Sequence, residues 1–178
     1  SLGILFLDKQ IHRHIYAIYG FVRFADEIVD SFHDYPKEKL LVSFKEQTYQ
    51  AIEDGISLNP ILNSFQHTVN EFQIDTDLIE KFLRSMEMDL DPDRAYDQKA
   101  FEDYILGSAE VVGLMCLKVF CYGVEESYQK LRYNAMKLGS AFQKINFLRD
   151  LQADYYELGR SYFPNIDMDN FNDATKQE

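Results

Sequence analysis

The sequence predicts an all-α protein, and three observations support this fold class. The 178 residues include only eight glycines and four prolines, so long uninterrupted helices are expected. Apolar residues recur at spacings of three and four, which is the period of a helix that buries one face. No segment alternates polar and apolar residues with the period of two that a half-buried strand requires, so we predict no strand.

Composition and charge favour a single acidic domain without a nucleic-acid partner. Hydrophobic residues make up 46% of the chain, which is enough for one sizeable core. The formal net charge is −12, so the chain has no basic surplus to neutralise phosphates, although acidity alone usually indicates only a solvated surface. The longest apolar run, Val111 to Cys121, includes Lys118 and is too short to span a bilayer. We therefore expect a cytoplasmic protein whose association with membranes would be peripheral.

The first predicted helix, from about Lys9 to Phe32, places two acidic residues on an otherwise apolar stripe. Its members are four, three, four and four residues apart: Ile15, Tyr19, Val22, Asp26 and Asp30. The two aspartates would therefore continue the apolar face of the helix. Solvated surface acids should lie on the opposite face, so this position is a first indication of function.

Capping and turn residues bound the remaining helices. Asn59 and either Asp75 or Thr76 are predicted to be N-caps of helices, and Pro36 is predicted to lie in the first turn of one. Three glycines are predicted to end helices. Residues 89–93, Asp-Leu-Asp-Pro-Asp, are predicted to end the helix that precedes them and to form a loop. The predicted helices are Pro36–Asp54 before Gly55, Asn59–Phe72, Asp75–Met88, Gln98–Tyr122 before Gly123, and Glu125–Leu158 before Gly159.

The last of these helices has two adjacent stripes of different character. One stripe is apolar and consists of Leu138, Phe142, Ile145 and Leu148. The other is small and polar, contains no lysine, and consists of Gly139, Gln143, Asn146, Asp150 and Asp154. Because a surface stripe on so long a helix would normally include Lys or Arg, these amides and acids are candidate ligands.

Two aspartate couplets with the same spacing predict a shared cation site. Asp26 and Asp30 are four residues apart, and so are Asp150 and Asp154, so each pair stacks two repelling carboxylates on one helical face. If the first and last helices pack nearly antiparallel around a cavity, four carboxylates and Asn146 would meet across it. Such a group requires cations, and Mg²⁺ or Mn²⁺ suits oxygen ligands that are shared with a substrate diphosphate.

Arginines and aromatic residues near the couplets fit the departure of a diphosphate. Arg23, Arg149 and Arg160 are close in sequence to the aspartates and could bind phosphate in a bidentate manner, or each could merely balance adjacent acids. Aromatic faces in a dry cavity would stabilise the allylic cation that remains. The candidates, for most of which core packing is the simpler interpretation, are Tyr16, Tyr19, Phe21, Tyr104 and Phe142.

Three segments, in order along the chain, resemble signatures of the squalene/phytoene synthases. Residues 19–30, Tyr-Gly-Phe-Val-Arg-Phe-Ala-Asp-Glu-Ile-Val-Asp, resemble the first aspartate-rich signature. Residues 141–154, with Gly-Arg-Ser-Tyr-Phe-Pro at 159–164, resemble the second, and residues 104–113, which start at a tyrosine and end in Val-Gly, resemble a helix between them. The resemblance covers residues 1–164 and leaves 165–178 as a polar tail or loop.

The resemblance implies an isoprenoid synthase fold, a helical bundle around a central cavity. Members of the family join two prenyl diphosphates head-to-head (1′-1) through a cyclopropyl diphosphate intermediate, using Mg²⁺. Metal and diphosphate would be held by Asp26, Asp30, Asn146, Asp150 and Asp154, with substrate contacts from Arg23, Tyr19, Arg149 and Arg160. The reacting centre would be lined by Gln143 and Tyr104, and the prenyl channel by Ala109, Val112 and Gly113.

The chain departs from the family pattern at both ends. Ser1 resembles the second serine of a Ser-x-Ser phosphate-binding segment, and family members continue for roughly a hundred helical residues beyond the Tyr-Phe-Pro segment. We therefore expect a single partial domain, incomplete at the C-terminus, that lacks the helices which would close the cavity. Glu110 stands where many members have glycine.

The favoured function is that of a phytoene synthase of carotenoid biosynthesis, which joins two geranylgeranyl diphosphates. The Asp-Glu-Ile-Val-Asp form of the first couplet supports this assignment. The alternatives are a squalene or dehydrosqualene synthase that uses farnesyl diphosphate, with NADPH required for squalene, and a non-catalytic helical assembly factor that retains the fold. Terpene cyclases and head-to-tail prenyltransferases fit the pattern Gln-x-x-Asn-x-x-x-Asp-x-x-x-Asp poorly. The oligomeric state cannot be predicted from the sequence.

Overall fold

The protein is a helical bundle, and the residues that the structure describes contain no strand. The computed structural model describes residues 2–91 and 97–156, with side chains for 3–91 and 97–150. The prediction of an all-α fold is therefore confirmed. The elements are α1 (Leu2–Leu5), α2 (His12–Asp30), α3 (Lys37–Asp54), α4 (Pro60–Phe72), α5 (Thr76–Met88), α6 (Gln98–Ile105), a π-helical segment (Leu106–Glu110), α7 (Val111–Phe120) and α8 (Glu125–Tyr156).

Most helix boundaries follow the residues that predict them. Asn59 caps α4, because its side-chain oxygen accepts hydrogen bonds from the backbone N–H groups of Ile61 and Leu62 at 3.0 and 3.4 Å. Gly55 ends α3 in the left-handed conformation, with φ of 68°. Other predicted bounds are wrong: the first predicted helix, from about Lys9 to Phe32, is observed from His12 to Asp30, Pro36 precedes α3 instead of opening it, and the predicted helix to residue 122 ends at Phe120. The short helix α1 was not predicted.

A π-helical segment divides the predicted helix 98–122 into α6 and α7. Two glycines bring its backbone close to its neighbours. A Cβ added at Gly107 would lie 2.6 Å from the Lys81 carbonyl oxygen and 2.7 Å from Ser85 Cβ of α5. A Cβ added at Gly139 of α8 would lie 2.9 Å from the Ala109 carbonyl oxygen. The segment is therefore clamped between α5 and α8 by contacts that only glycine permits.

The main core lies between α2, α3, α4, α5 and α7. The Phe21 ring stacks on Phe65 at 3.9 Å between centroids and also packs against Phe44 and Phe82. All four rings are buried, and burial of each contributes roughly 1.5–3 kcal/mol to folding. A second, smaller cluster joins α5, α6 and α8 and consists of Met88, Phe101, Tyr104, Ile105 and Phe147.

The helices that contain the two aspartate couplets are connected mainly through α7. Helix α2 packs on α1, α3, α4, α5 and α7, whereas α8 packs chiefly on α7 and the π-helical segment. At the turn from α7 into α8, the buried Lys118 forms ion pairs with Glu125 at 3.1 Å and Asp75 at 3.5 Å. Among the residues that the structure describes, no helix is long and apolar enough to cross a membrane.

Candidate active site

Asp26 and Asp30 lie at the margin of the buried face of α2. The core side of this helix consists of residues such as Phe21 and Ile28, whereas both aspartates are half-buried and Tyr19 is 51% exposed. The expectation that the aspartates continue the apolar stripe is therefore only partly right. They border the core, where their carboxylates keep access to solvent and ligands.

The environment of Asp26 disfavours its ionised form. Burial and the nearby Asp30 carboxylate raise the pKa of Asp26, and Arg23 acts in the opposite direction. Arg23 forms ion pairs with both Asp26 and Glu27, one turn along α2. Of the two roles considered for this arginine, its contacts in this structure correspond to the neutralisation of adjacent acids. The couplet is nevertheless a place where additional positive charge would be stabilising.

The second couplet is described only in part. Asp150 accepts two hydrogen bonds from the neighbouring Arg149, at 2.8 Å from Nε and 2.6 Å from Nη2, and these contacts lower the pKa of Asp150. Asn146, one turn before, is half-buried. The side chain of Asp154 and the whole of Arg160 lie outside the described residues.

The donor chemistry fits a hard divalent cation, but the described side chains do not complete a site. Within residues 3–91 and 97–150, no group of three or more His, Cys, Asp or Glu side chains could hold a metal ion. Asp26 and Asp30 supply two carboxylates whose repulsion a cation would relieve. Asn146 and Asp150 would have to contribute from α8, so the metal site stays a prediction.

The two stripes of α8 are oriented opposite to an ordinary amphipathic helix. The apolar stripe is largely exposed, at 59 or 60% for Leu138, Phe142, Ile145 and Leu148, and the first two also border the cavity described next. The described members of the polar stripe, from Gly139 to Asp150, are half-buried, and Gly139 and Gln143 face α7 and the π-helical segment. This orientation is the one that a stripe of candidate ligands requires.

An apolar cavity of about 400 Å³ lies between α8 on one side and the π-helical segment with α7, which follows it directly, on the other. The three residues predicted for the channel wall, Ala109, Val112 and Gly113, all line it, and so does Gln143. That these residues contact a prenyl chain stays a prediction. The other lining residues are Ser108, Cys116, Leu117, Phe120, Ala135, Leu138, Gly139 and Phe142.

Sequence reasoning missed several of these lining residues, although their spacing is a signal. Ser108, Val112, Cys116 and Phe120 are each four residues apart, so they share one face of the helix. The Ser108 hydroxyl is buried and has no hydrogen-bond partner among the described residues, so a ligand oxygen or a water molecule would satisfy it. Burial raises the pKa of the Cys116 thiol to about 12, so this side chain stays protonated and behaves as an apolar wall.

Tyr104 is not one of the residues that line the cavity. Its ring packs on Phe147 at 5.9 Å between centroids, and its hydroxyl donates to Asp89 Oδ2 at 2.9 Å. Its predicted place at the reacting centre is not tested by these contacts. Among the other aromatic candidates, Phe21 belongs to the core, whereas Tyr16, Tyr19 and Phe142 are 41, 51 and 60% exposed.

Together, these features define an all-α protein with an apolar cavity beside acidic and amide side chains. Such a site suits a ligand with an apolar chain and an anionic head. The family model described as "Squalene/phytoene synthase" matches residues 1–177, and the chain belongs to this family.

Relatives with assigned activities agree with this membership. The chain is 30% identical over 166 residues to a presqualene diphosphate synthase of Rhodopseudomonas palustris, covering 89% of this chain and 55% of the relative. It is 26% identical over 174 residues to a 4,4'-diapophytoene synthase of Staphylococcus haemolyticus, covering 97% and 59%. Phytoene synthases of plants and mycobacteria are also similar to it.

A solved structure shows the same fold. The crystal structure of a dehydrosqualene synthase in complex with ligand superposes with a TM-score of 0.80 at 28% sequence identity, and the match covers 98% of this chain and 59% of that one. The chain thus spans between 41 and 59% of the length of these relatives.

Proposed function

We propose that the complete protein is a prenyltransferase that joins two prenyl diphosphates head-to-head. The supporting observation is that the apolar cavity ends at Gln143, on the same stripe of α8 as the polar candidate ligands Asn146 and Asp150. Gln143 lines the cavity, and Asp150 lies seven residues further along α8, about 10 Å of helix. An apolar chain in the cavity could therefore present its charged head to Asn146 and Asp150.

The proposed reaction has two stages. The C1–O bond of one substrate breaks and diphosphate leaves. C1 then bonds to C2 of the C2–C3 double bond of the second substrate, and loss of a proton from that same C1 allows it to bond to C3 and close a cyclopropane, while the second substrate keeps its diphosphate. The second diphosphate then leaves, the skeleton rearranges to a 1′-1 bond, and loss of a proton gives the central double bond of phytoene or dehydrosqualene. Squalene would instead require a hydride from NADPH.

The residues of this chain would bind and position the substrates. Asp26, Asp30, Asn146 and Asp150 would hold Mg²⁺ or Mn²⁺, which would neutralise the charge that develops on the leaving diphosphate. Arg23 is placed beside the first couplet, where it could contact phosphate oxygens in exchange for Asp26 and Glu27. The apolar lining of the cavity would exclude water that could capture a carbocation.

We infer that geranylgeranyl diphosphate is the substrate and phytoene the product, because the Asp-Glu-Ile-Val-Asp form of the first couplet favours this reaction. Phytoene synthases among the relatives support the same assignment. Farnesyl diphosphate is the second candidate, since this chain is also similar to a presqualene diphosphate synthase and a dehydrosqualene synthase.

Product analysis tests the proposal. The complete protein is incubated with farnesyl or geranylgeranyl diphosphate and Mg²⁺, with and without NADPH. We expect a C40 hydrocarbon from geranylgeranyl diphosphate without NADPH. A C30 product made more efficiently from farnesyl diphosphate would identify the second candidate. The absence of C30 and C40 products from every mixture would contradict the proposed function.

A further inference from the structure

We infer that Phe120 sets the longest prenyl chain that the apolar cavity accepts. This inference rests on the proposed function, because it concerns the occupant of the same site. Phe120 is the last residue of α7, lines the cavity and is 43% exposed. It has the largest side chain among the α7 residues that line the cavity.

The packing of α7 on α8 gives the cavity a direction. The backbone at Gly139 approaches Ala109, and the backbone at Gly113 approaches Ala135, so residue numbers rise along one helix as they fall along the other. The two helices are therefore antiparallel. Gln143 lies one turn beyond Gly139 in the direction of Asp150, so the cavity end at Gln143 is the end nearest the second couplet.

Phe120 lies at the opposite end. From Ser108 to Phe120 the chain advances 12 residues, about 18 Å along a helix. The α7 lining continues through Cys116 and Leu117 to Phe120, past the level of Ala135, which is the lining residue of α8 nearest the turn. By the same register Phe120 is level with about residue 128 of α8, so Gln143 lies about 22 Å from it along the helix axis. A prenyl chain that enters at the Gln143 end, with its diphosphate directed toward Asp150, would therefore direct its terminal isoprene unit toward Phe120.

The polarity of the lining supports this direction. The buried Ser108 hydroxyl, which has no partner among the described residues, and the Gln143 amide are both at the end nearest Asp150. The path to Phe120 is lined by Cys116 and Leu117, whose side chains offer apolar surface. The two polar groups, the Ser108 hydroxyl and the Gln143 amide, favour binding of an extended apolar chain with its charged head at the Gln143 end.

Chain-length selectivity of the complete protein tests the inference. The measurement is kcat/KM for farnesyl, geranylgeranyl and geranylfarnesyl diphosphates. Phe120→Ala is expected to raise the preference for a chain one isoprene unit longer than the best wild-type substrate by about tenfold or more, because it empties the far end of an apolar pocket. Cys116→Leu, which fills the cavity one turn closer to Gln143, is expected to lower the same ratio by about tenfold.

Leu131→Ala is the matched control. Leu131 has the same exposed fraction as Phe120, 43%, and does not line the cavity. Its substitution should leave the selectivity unchanged. The inference is overturned if Phe120→Ala turns over substrate with wild-type selectivity, or if Leu131→Ala shifts selectivity equally. If Phe120→Ala does not fold, Phe120→Leu should give a smaller shift in the same direction, and wild-type selectivity in that variant would also overturn the inference.

A binding measurement separates this inference from the proposed function. Calorimetry with unreactive thio-diphosphate analogues of the three chain lengths requires no turnover. An inactive wild-type protein would overturn the proposed function alone. In that case Phe120→Ala should still bind the longest analogue more tightly than the wild type does, and equal affinities would overturn the assignment of Phe120.

Discussion

Asp26 is half-buried beside a like-charged residue, and Arg23 is the one arginine that pairs with it among the residues whose side chains the structure describes. Burial and Asp30 raise the pKa of Asp26 even though Arg23 is in direct contact. A carboxylate whose ionised form is disfavoured by its own fold is more typical of a ligand site than of a solvated surface. This residue therefore connects the electrostatics of α2 to the proposed metal-dependent chemistry.

Substitution of Asp26 should separate activity from stability. In Asp26→Asn we expect turnover to fall by about 100-fold or more, because a group that stabilises the leaving diphosphate is lost. The free energy of unfolding without metal should stay the same or rise slightly, because a repulsion is relieved. Steady-state kinetics and urea unfolding check both expectations. Asp34→Asn, at an exposed position, is the control, and full activity of Asp26→Asn would contradict the assigned role.

His14 is a buried histidine that joins α2 to α4. Its Nε2 accepts a hydrogen bond from Arg13 Nε at 2.8 Å, so its Nδ1 donates to Thr68 Oγ1 at 3.1 Å. Burial lowers the pKa of His14; Glu71 opposes this shift, whereas Arg13 and His67 reinforce it. The native state therefore holds this imidazole neutral.

This arrangement predicts acid sensitivity of the fold. As pH falls through about 6.5, the unfolded chain binds a proton at residue 14 while the native protein does not, so the free energy of unfolding decreases. The slope from this group approaches about 1.4 kcal/mol per pH unit at most. Urea unfolding between pH 7.5 and 5.5 should show a shallower pH dependence for His14→Gln than for the wild type. Equal slopes would show that His14 is not the responsible group.

For the individual helices, capping residues and hydrophobic periodicity predicted where each helix begins and ends better than they predicted which face of the helix is buried. Helices α4 and α5 match their predictions within a residue because Asn59 and Asp75 precede strongly periodic segments. The π-helical segment could not be predicted, since it depends on the contact of Gly107 with α5, more than twenty residues earlier in the chain. The exposure of the apolar stripe of α8 depends likewise on which elements cover it, and periodicity alone does not contain that information.

The close approach at Gly107 gives a prediction for the π-helical segment. Gly107→Ala should lower the free energy of unfolding by about 1–3 kcal/mol, because the new methyl group would meet the Lys81 carbonyl oxygen at 2.6 Å. Gly20→Ala is the matched control inside α2, where the nearest atom would be Ile61 Cγ2 at 3.8 Å. This control should be neutral or stabilising by up to about 1 kcal/mol. Equal effects in urea unfolding would contradict the clamping of the segment.

At the scale of the whole molecule, the exposed face of α8 is the most unusual surface. Four large apolar side chains on it, from Leu138 to Leu148, are each 59 or 60% exposed. Contiguous apolar surface of this kind is normally covered by another element or chain. It follows that the 178-residue polypeptide presents a surface that would favour self-association.

Produced alone, the 178-residue polypeptide should therefore bind a hydrophobic dye such as ANS and self-associate at micromolar concentration. The double variant Leu138→Glu and Ile145→Glu should reduce both effects, because it places charges in the middle of the apolar stripe. Fluorescence titration and sedimentation velocity provide the measurements. A monomeric wild-type polypeptide without dye binding would show that the stripe is covered in solution.

The candidate site was predictable in its local parts and not in its assembly. The four-residue spacing within each couplet placed Asp26 near Asp30, and their coupling in the structure agrees with it. Whether the couplets of α2 and α8 converge depends on the angles at which these two helices cross α7. The spacing of residues along one helix does not specify those angles. The cavity between α7 and α8 similarly depends on small residues that meet only after packing, such as Gly139 and Ala109.

The most direct test of this account is a crystal structure of the complete protein with Mn²⁺ and an unreactive prenyl thio-diphosphate. We expect anomalous peaks for Mn²⁺ bridged by the diphosphate, with carboxylate oxygens of the Asp26–Asp30 couplet and of Asp150 within about 2.0–2.3 Å of the ions. The prenyl chain should occupy the cavity between α7 and α8. Peaks that contact one couplet alone, or couplets too far apart to share one diphosphate, would contradict this account.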